Sequence, residues 1–342
     1  MNNRRKTGLK NECRWGEAGK PTYCPNCGST EKLRVIPSGK PLPYHCGDCN
    51  RAFSVKTGSV MHRSKISFQN WVIAIFLMVT NLKSYSSTHL ARELEITQKS
   101  AHFLAHRIRE AWSDSVTDME GTVEVDESYF GGKVANMPLK KQKELQGQGR
   151  GTVGKAIVVG LKNRETGKIV AKHVHSTSKE TLQGMIKDTV REGSTIYSDE
   201  YRSYQGLENE GYKHETVNHG SKEYVKRVLR KDENGEYQTN GAGKYIEDKV
   251  HINGMEGHWS MTKRAYHGTH HWYSFKHLDL YIQESATRHN MREDDTIVMM
   301  QKTVAMMIGK RLMYRQLVDG KDELGNKIEP KADNKDDGDK AA

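Results

Sequence analysis

The stretch Gly121-Thr-Val-Glu-Val-Asp-Glu-Ser-Tyr-Phe-Gly-Gly-Lys133 alternates apolar and polar residues up to a glycine pair. Side chains of a strand point to opposite faces at successive residues, so Val123 and Val125 fall on one face and Glu124 and Asp126 on the other. An acidic residue near the end of a strand, just before a Gly-rich turn, is unexpected unless it binds a cation. Further along, an apolar strand starts near Ala156 and closes at Gly160-Leu161. Thr166-Gly167 reads as a hairpin turn, with Lys168-Ile-Val-Ala-Lys-His-Val174 as the return strand. Ser178 is placed to cap a helix running to about Arg191, with Leu182, Met185, Ile186 and Val190 inward. Thr195-Ile-Tyr-Ser-Asp199 is a short strand that again ends in a carboxylate.

Three antiparallel strands, a helix and a further strand make the order of an RNase H-like fold: an α/β mixed sheet with flanking helices. In that topology the first strand lies beside the strand after the helix, so Asp126 and Asp199 converge. His251-Ile-Asn-Gly-Met-Glu-Gly-His-Trp-Ser-Met-Thr-Lys-Arg264 reads as a helix opening near Asn253. Glu256 and Lys263 are two turns apart on one face. Three carboxylates on separate elements can hold two Mg²⁺, and two ions about 4 Å apart suit in-line phosphodiester chemistry. Each residue also has a plainer reading: Asn253 and Glu256 as a capping box, Asp199 as the first residue of a turn. Glu124, Glu127 and Glu200 rank below the three.

Toward the N-terminus, Cys24-Pro-Asn-Cys27 and Cys46-Gly-Asp-Cys49 present four thiolates in two pairs, a spacing that predicts a zinc ribbon over residues 20–54. Four cysteines leave no open position, so the zinc is expected to be structural. Gly28 and Gly47 are expected to take positive φ in the knuckle turns. Lys32–Ile36 reads as a strand, Tyr44-His45 begins the return, and Phe53 is expected over the site. Cys13 is left without a role.

Residues 64–116 read as helix-turn-helix-like. A helix capped by Ser67 carries Trp71, Ile75, Met78, Val79 and Leu82. Ser86–Leu94 is a short helix, Glu95-Ile96 the turn, and Thr97 the N-cap of a longer helix to about Trp112. On that helix Ala101, Leu104, Ala105 and Ile108 face inward, while Lys99, His102, His106, Arg107 and Arg109 lie largely off that face. An ordinary helical bundle with a charged face fits the pattern equally; the ribbon and the charge favour DNA. Trp71, Phe76 and Trp112 are assigned to the core ahead of base stacking, and Trp259, Trp272, Tyr273 and Phe275 to the core, with the alternative that one of these four wedges against DNA.

The 342 residues hold 54 Lys and Arg against 43 Asp and Glu, a net +11, with a mean hydropathy of −0.82. The excess favours a polyanionic partner, nucleic acid first. The longest apolar run, Trp71 to Val79, is far too short for a membrane span, and no secretory pattern opens the chain. Residues 320–342 carry net −2 and read as a disordered tail. Residues 120–292 form the expected core, with inserted loops near 134–153 and 226–250, and a C-terminal helix is expected in 293–319. Met137–Thr152 reads first as a disordered solvated linker and second as a mobile basic loop that DNA could order. His267, His270 and His271 read as surface or phosphate contacts ahead of a metal site.

Val125–Lys133, Ser198-Asp-Glu-Tyr-Arg-Ser-Tyr204 and Asn253–Arg264 resemble the three catalytic blocks of DDE insertion-sequence transposases of the ISXO type. Gly211–His219, Lys276–Tyr281 and Arg288–Arg292 are similar too, and the likeness covers roughly residues 14–292. It implies an RNase H-like core using Mg²⁺ or Mn²⁺ and transposition between terminal inverted repeats. It puts the metal-binding triad on Asp126, Asp199 and Glu256, with Lys263 as basic partner. Some relatives use Asn as the third ligand; Glu256 is preferred over Asn253 because a carboxylate carries charge to the metal. Candidate DNA contacts are Lys99, His102, His106 and Arg107 in the helical segment and Lys133, Lys263 and Arg264 in the core. The expected partners are double-stranded terminal repeats, target DNA and further copies of the chain, in a prokaryotic cytoplasm. A domesticated DNA-binding regulator and an RNase H-like nuclease are the alternatives.

Overall fold

The structure is a computed structural model describing residues 14–15, 20–39, 42–113, 118–132, 134–144, 154–218, 225–230 and 236–319. Cys13, Lys133, residues 145–153 of the expected basic loop and the tail 320–342 lie outside the described residues. Two compact units form, one from residues up to 114 together with those from 291, the other from Ser115–Asn290.

The first unit opens with strands β1 (Leu33–Val35), β2 (Tyr44–Cys46) and β3 (Arg51–Phe53) in one antiparallel sheet. Its small core is Trp15, Cys24, Cys46 and Phe53. Arg14 ties the lead-in down, its Nη1 donating to the carbonyls of Val55 and Thr57, each at 2.6 Å. Gly28 takes φ +80°, as expected, but Gly47 does not adopt positive φ. The left-handed residue of the second knuckle is Asn50, at φ +52°. The two turns correspond through the residue after each second cysteine. Gly47 is needed for a different reason: an added Cβ would meet Lys32 Cβ at 3.0 Å.

Helices α1 (Phe68–Thr80), α2 (Ser87–Glu93) and α3 (Gln98–Ala111) follow. Ser67, Ser86 and Thr97 cap them by accepting the N–H of Asn70, His89 and Ser100. Such a cap contributes about 1 kcal/mol. Glu95, at φ +51°, turns the chain between α2 and α3. Trp71, Ile75, Leu90, Leu104, Ile108 and Trp112 fill the core.

The second unit is built on a five-stranded sheet in the order β6-β5-β4-β7-β8. Its strands are β4 (Thr122–Phe130), β5 (Ala156–Asn163), β6 (Ile169–Val174), β7 (Thr195–Asp199) and β8 (Lys213–Val217). A short helix, α4 (Leu139–Glu144), occupies part of the stretch expected to be a loop. β4, β5 and β6 are antiparallel neighbours, while β7 and β8 run parallel to β4. This is the predicted RNase H-like order. Helix α5 (Lys179–Thr189), capped by Ser178, buries Leu182, Met185 and Ile186 with Val123 and Val125 on one face of the sheet. β9 (Lys226–Leu229) and β10 (Glu247–Val250) pair as an antiparallel ribbon where a loop or hairpin was expected. α6 (Asn253–Ala265) and α7 (Leu278–Asn290) cover the other face through Met255, Trp259, Leu278 and Ile282.

Gly160 lies opposite Asp126 in the β4–β5 register. A Cβ there would meet Met255 at 2.4 Å and the Trp259 ring at 2.6 Å, so the glycine lets α6 approach the strand bearing Asp126. Gly160→Ala is expected to destabilise the second unit by about 1–3 kcal/mol through overpacking. Urea unfolding followed by Trp fluorescence reads this; an unchanged midpoint would contradict the close approach.

The chain then returns to the first unit. α8 (Thr296–Met306) packs Met299 against the α1–α3 core, and Trp112 Nε1 donates to Thr303 Oγ1 at 3.2 Å. α9 (Tyr314–Asp319) follows, with Tyr314 edge-on to Phe103. No helix among the described residues is long and apolar enough to cross a membrane.

Candidate catalytic carboxylates and cysteine cluster

β4 and β7 pair in parallel from Thr122↔Thr195 to Glu124↔Tyr197. Asp126 and Asp199 each lie two residues beyond that last pair on their strands. α6 approaches β4 from the helix-covered face, and Glu256 lies on its exposed side with Lys263 and Arg264. Asp126 feels both other carboxylates: its pKa is pushed up to about 8, by burial first and then by Glu127, Asp199 and Glu256. The strand and helix patterns explain the convergence. Asp126 lies midway along β4 and Asp199 ends the neighbouring β7, both interior strands of the sheet.

The plainer readings can be compared with the geometry. Asp199 Oδ1 does accept the Tyr201 N–H at 3.0 Å, so it opens a turn as well as ending a strand. The capping box does not form. Ile252 is the N-cap of α6 with no side-chain bond, and Asn253 is already helical.

Glu127, ranked below the triad, points to the α5 face of the sheet and accepts the Tyr204 hydroxyl at 2.5 Å. Burial first, then Asp199, raise its pKa to about 7, while the Tyr204 bond lowers it. Tyr204→Phe removes a bond to a buried carboxyl and is expected to cost roughly 1–3 kcal/mol. Chemical denaturation checks this, and a loss under 0.5 kcal/mol, the low end of a typical bond, would refute it.

In the first unit the Sγ atoms of Cys24 and Cys49 lie 3.7 Å apart, as do those of Cys27 and Cys46. Two sulfurs bound tetrahedrally at about 2.3 Å from one Zn²⁺ are separated by about 3.8 Å, so the donor set fits zinc. The four thiols act on one another: the N–H groups of Cys49 and then Asp48 hold Cys46 down near 7, while Cys27 is pushed up to about 12 and burial raises Cys49, so the cluster resists losing all its protons unless a cation is present. Among the described residues, these four cysteines form the one group of three or more potential ligands whose donor atoms all lie within 4.8 Å. His267, His270 and His271 do not gather in this way.

Residues 118–290 match the ISXO2-like transposase domain, a DDE family. The chain belongs to this ISXO2-like transposase family. It is also 26% identical over 271 residues to a protein of Halobacterium salinarum described as an uncharacterized protein in transposable element ISH50, covering 77% of this chain and 83% of that relative.

An ISXO2-like transposase implies DNA as partner and a divalent metal in the core. The carboxylates suit the metal: they are hard oxygen donors whose mutual repulsion a divalent cation relieves.

The expected DNA contacts of the transposase separate into groups. Lys99 is exposed on the first turn of α3, with Nζ 4.9 Å from the Tyr314 ring centre. His102 is half-buried, which lowers its pKa. His106 is corrected: it is fully buried, and so is Arg109, on the side of α3 away from Leu104. Arg107 is half-buried and donates to the carbonyls of Leu312 and His62, both at 3.2 Å, so its guanidinium ties elements of the unit together. Three aromatics assigned to the core are exposed: Phe76 at 46%, Trp272 at 53% and Phe275 at 41%. Leu82 lies beyond the end of α1 and is exposed as well.

Residues with no assignment from sequence also line this region. Arg164, Tyr197 and His251 meet beneath the start of α6. Arg164 follows a strand in a hairpin and has no local pattern that marks it. Glu124 carried a signal, since it shares the face of Asp126.

Proposed function

We propose that this chain is an active DNA transposase that binds the terminal inverted repeats of its element, cleaves a phosphodiester at the element's end and joins the freed 3′ end to target DNA. The observation that carries the reading is the meeting of Asp126, Asp199 and Glu256 from β4, β7 and α6, close enough that the other two raise the Asp126 pKa. In this reading the three carboxylates hold the divalent ions of the core. Ions bound there supply Lewis-acid activation of the attacking oxygen and neutralise the leaving oxygen. Lys263, exposed two turns along α6 from Glu256, draws the terminal phosphate toward the carboxylates, and Arg264 beside it adds backbone affinity.

Residues 20–54 serve as a structural zinc ribbon, and residues 64–116 read the terminal repeat through the exposed start of α3, where Gln98 and Lys99 reach a groove. Residues 120–292 form the catalytic domain. Joining two ends requires both to be held at once, so the working species is a DNA-bound oligomer of at least two chains.

The test is strand transfer. Full-length protein, Mg²⁺, a labelled duplex carrying the flanking genomic repeat, and a plasmid target are incubated together. Label joined to plasmid, with loss in Asp199→Asn, supports the transposase. Cleavage without joining points to a nuclease, and repeat binding without either points to a regulator.

A further inference from the structure

We propose that Glu124 and Arg164 form a positioning pair that sets the spacing of Asp126, Asp199 and Glu256; this rests on those three being the metal ligands. Each of the three elements bearing a ligand touches the pair just upstream of that ligand. On β4, Glu124 is two residues before Asp126 and on the same face of the strand. On α6, the Met255 N–H, next to Glu256, donates to Glu124 Oε2 at 3.0 Å. On β7, the Tyr197 ring, two residues before Asp199, stacks under the Arg164 guanidinium at 5.3 Å. Arg164 Nε closes the arrangement 3.3 Å from Glu124 Oε1.

The surroundings show that the contact is built in. Glu124 is 2% exposed. α6 has no side-chain cap of its own, and the Glu124 carboxylate occupies that place at the helix's positive end. Lys162 Nζ donates to the Gly254 carbonyl at 3.2 Å. At Gly254 an added Cβ would meet Glu124 Oε2 at 2.6 Å and Lys162 Nζ at 2.8 Å, so glycine is what lets the helix start settle on the carboxylate. Arg164 also donates through Nη1 to the Lys249 carbonyl at 2.7 Å and contacts His251 Nε2, fixing the segment that leads into α6. His251 Nδ1 lies 3.5 Å from Glu124 Oε1. A buried carboxylate and a planar guanidinium form a rigid joint, and a rotation of α6 about it would move Glu256 relative to Asp126.

The experiment measures Mn²⁺ affinity of the zinc-loaded full chain by electron paramagnetic resonance, with thermal melting as a fold control. Glu124→Gln keeps an acceptor for Met255 and removes the charge that orders Arg164. It is expected to weaken Mn²⁺ binding about 10-fold, the scale seen when groups orienting metal ligands are altered. Arg164→Lys keeps the charge, loses the fork, and is expected to weaken binding several-fold; it is the variant read if Glu124→Gln does not fold. In a Glu256→Gln background, neither substitution is expected to add more than 2-fold, because the ligand they position is gone. Wild-type affinity in a folded Glu124→Gln or Arg164→Lys protein overturns the proposal. An equal further loss in the Glu256→Gln background also overturns it, since the pair would then act on general stability. If Glu256→Gln alone binds Mn²⁺ like the wild type, the ligand assignment itself fails and the positioning role falls with it.

Discussion

Asp126→Asn is expected to abolish strand cleavage, by three orders of magnitude or more, and to leave the fold and repeat binding intact. A metal ligand in phosphoryl chemistry stabilises the transition state by several kcal/mol, and about 1.4 kcal/mol is a factor of ten. The same substitution should raise the stability of the metal-free protein. The Asp126 carboxyl is pushed from its ordinary 3.8 up to about 8, so folding takes up a proton that the unfolded chain releases. A raised folded-state value contributes stability that is complete below about 4 and is lost as pH rises through about 8. Asparagine mimics the protonated form at every pH. Asp126→Asn should therefore melt above the wild type at pH 8 without divalent metal, and the gap should narrow as pH falls toward 4. Added Mg²⁺ should stabilise the wild type and not the variant. Labelled-oligonucleotide cleavage and calorimetric melts at pH 5 and 8 read the three effects. Retained cleavage in the variant, or a lower melting temperature at pH 8, would remove Asp126 from the metal site.

Loss of zinc is expected to unfold the ribbon and abolish repeat binding while the RNase H-like unit keeps its own melting transition. Among the described residues the ribbon has three strands of three residues each and four buried core residues, Trp15, Cys24, Cys46 and Phe53, with Tyr23, Leu33, Tyr44, Cys49 and Val55 partly buried against them. So small a core does not offset the conformational entropy of the segment, whereas a structural Zn²⁺ contributes about 10–16 kcal/mol at pH 7. Cys46→Ser, which replaces a buried thiolate whose pKa is already lowered, should act like chelation. Elemental analysis should find about one zinc per chain in the native protein. The amide signals of β1–β3 should collapse on chelation and return on adding zinc. A ribbon that keeps its dispersed signals in the zinc-free state would sink the prediction.

Local chemistry accounts for what could be read before the fold was known. Alternation in Val123, Glu124, Val125 and Asp126 marks a strand with one face in the core, and that face is where Val123 and Val125 pack. The caps Ser67, Thr97 and Ser178 are local devices, each satisfying an N–H three residues on. The paired Cys-x-x-Cys spacing needs only two tight turns to bring sulfurs together. Strand order followed from the sequence of elements, and with it the adjacency of the strands that carry Asp126 and Asp199.

Tertiary structure decided what depends on residues far apart in the chain. A helix's periodicity identifies one buried face; whether its other faces are covered depends on other elements. Trp112, near the end of α3, meets Thr303 of α8, 191 residues away, and nothing near His106 announces that it will be buried. Phe76, Trp272 and Phe275 stay exposed for the converse reason: among the described residues no distant element covers them. The crowding of Gly47 by Lys32 arises from the β1–β2 pairing, which continues into the bond from the Gly47 N–H to the Lys32 carbonyl. Glu124, Arg164, Tyr197 and Met255 meet only because β4, the turn after β5, β7 and α6, four separate parts of the chain, converge. Short-range patterns thus determined the elements and the faces they bury first, while long-range packing decided which charged groups remain at the surface and which hold the carboxylates in place.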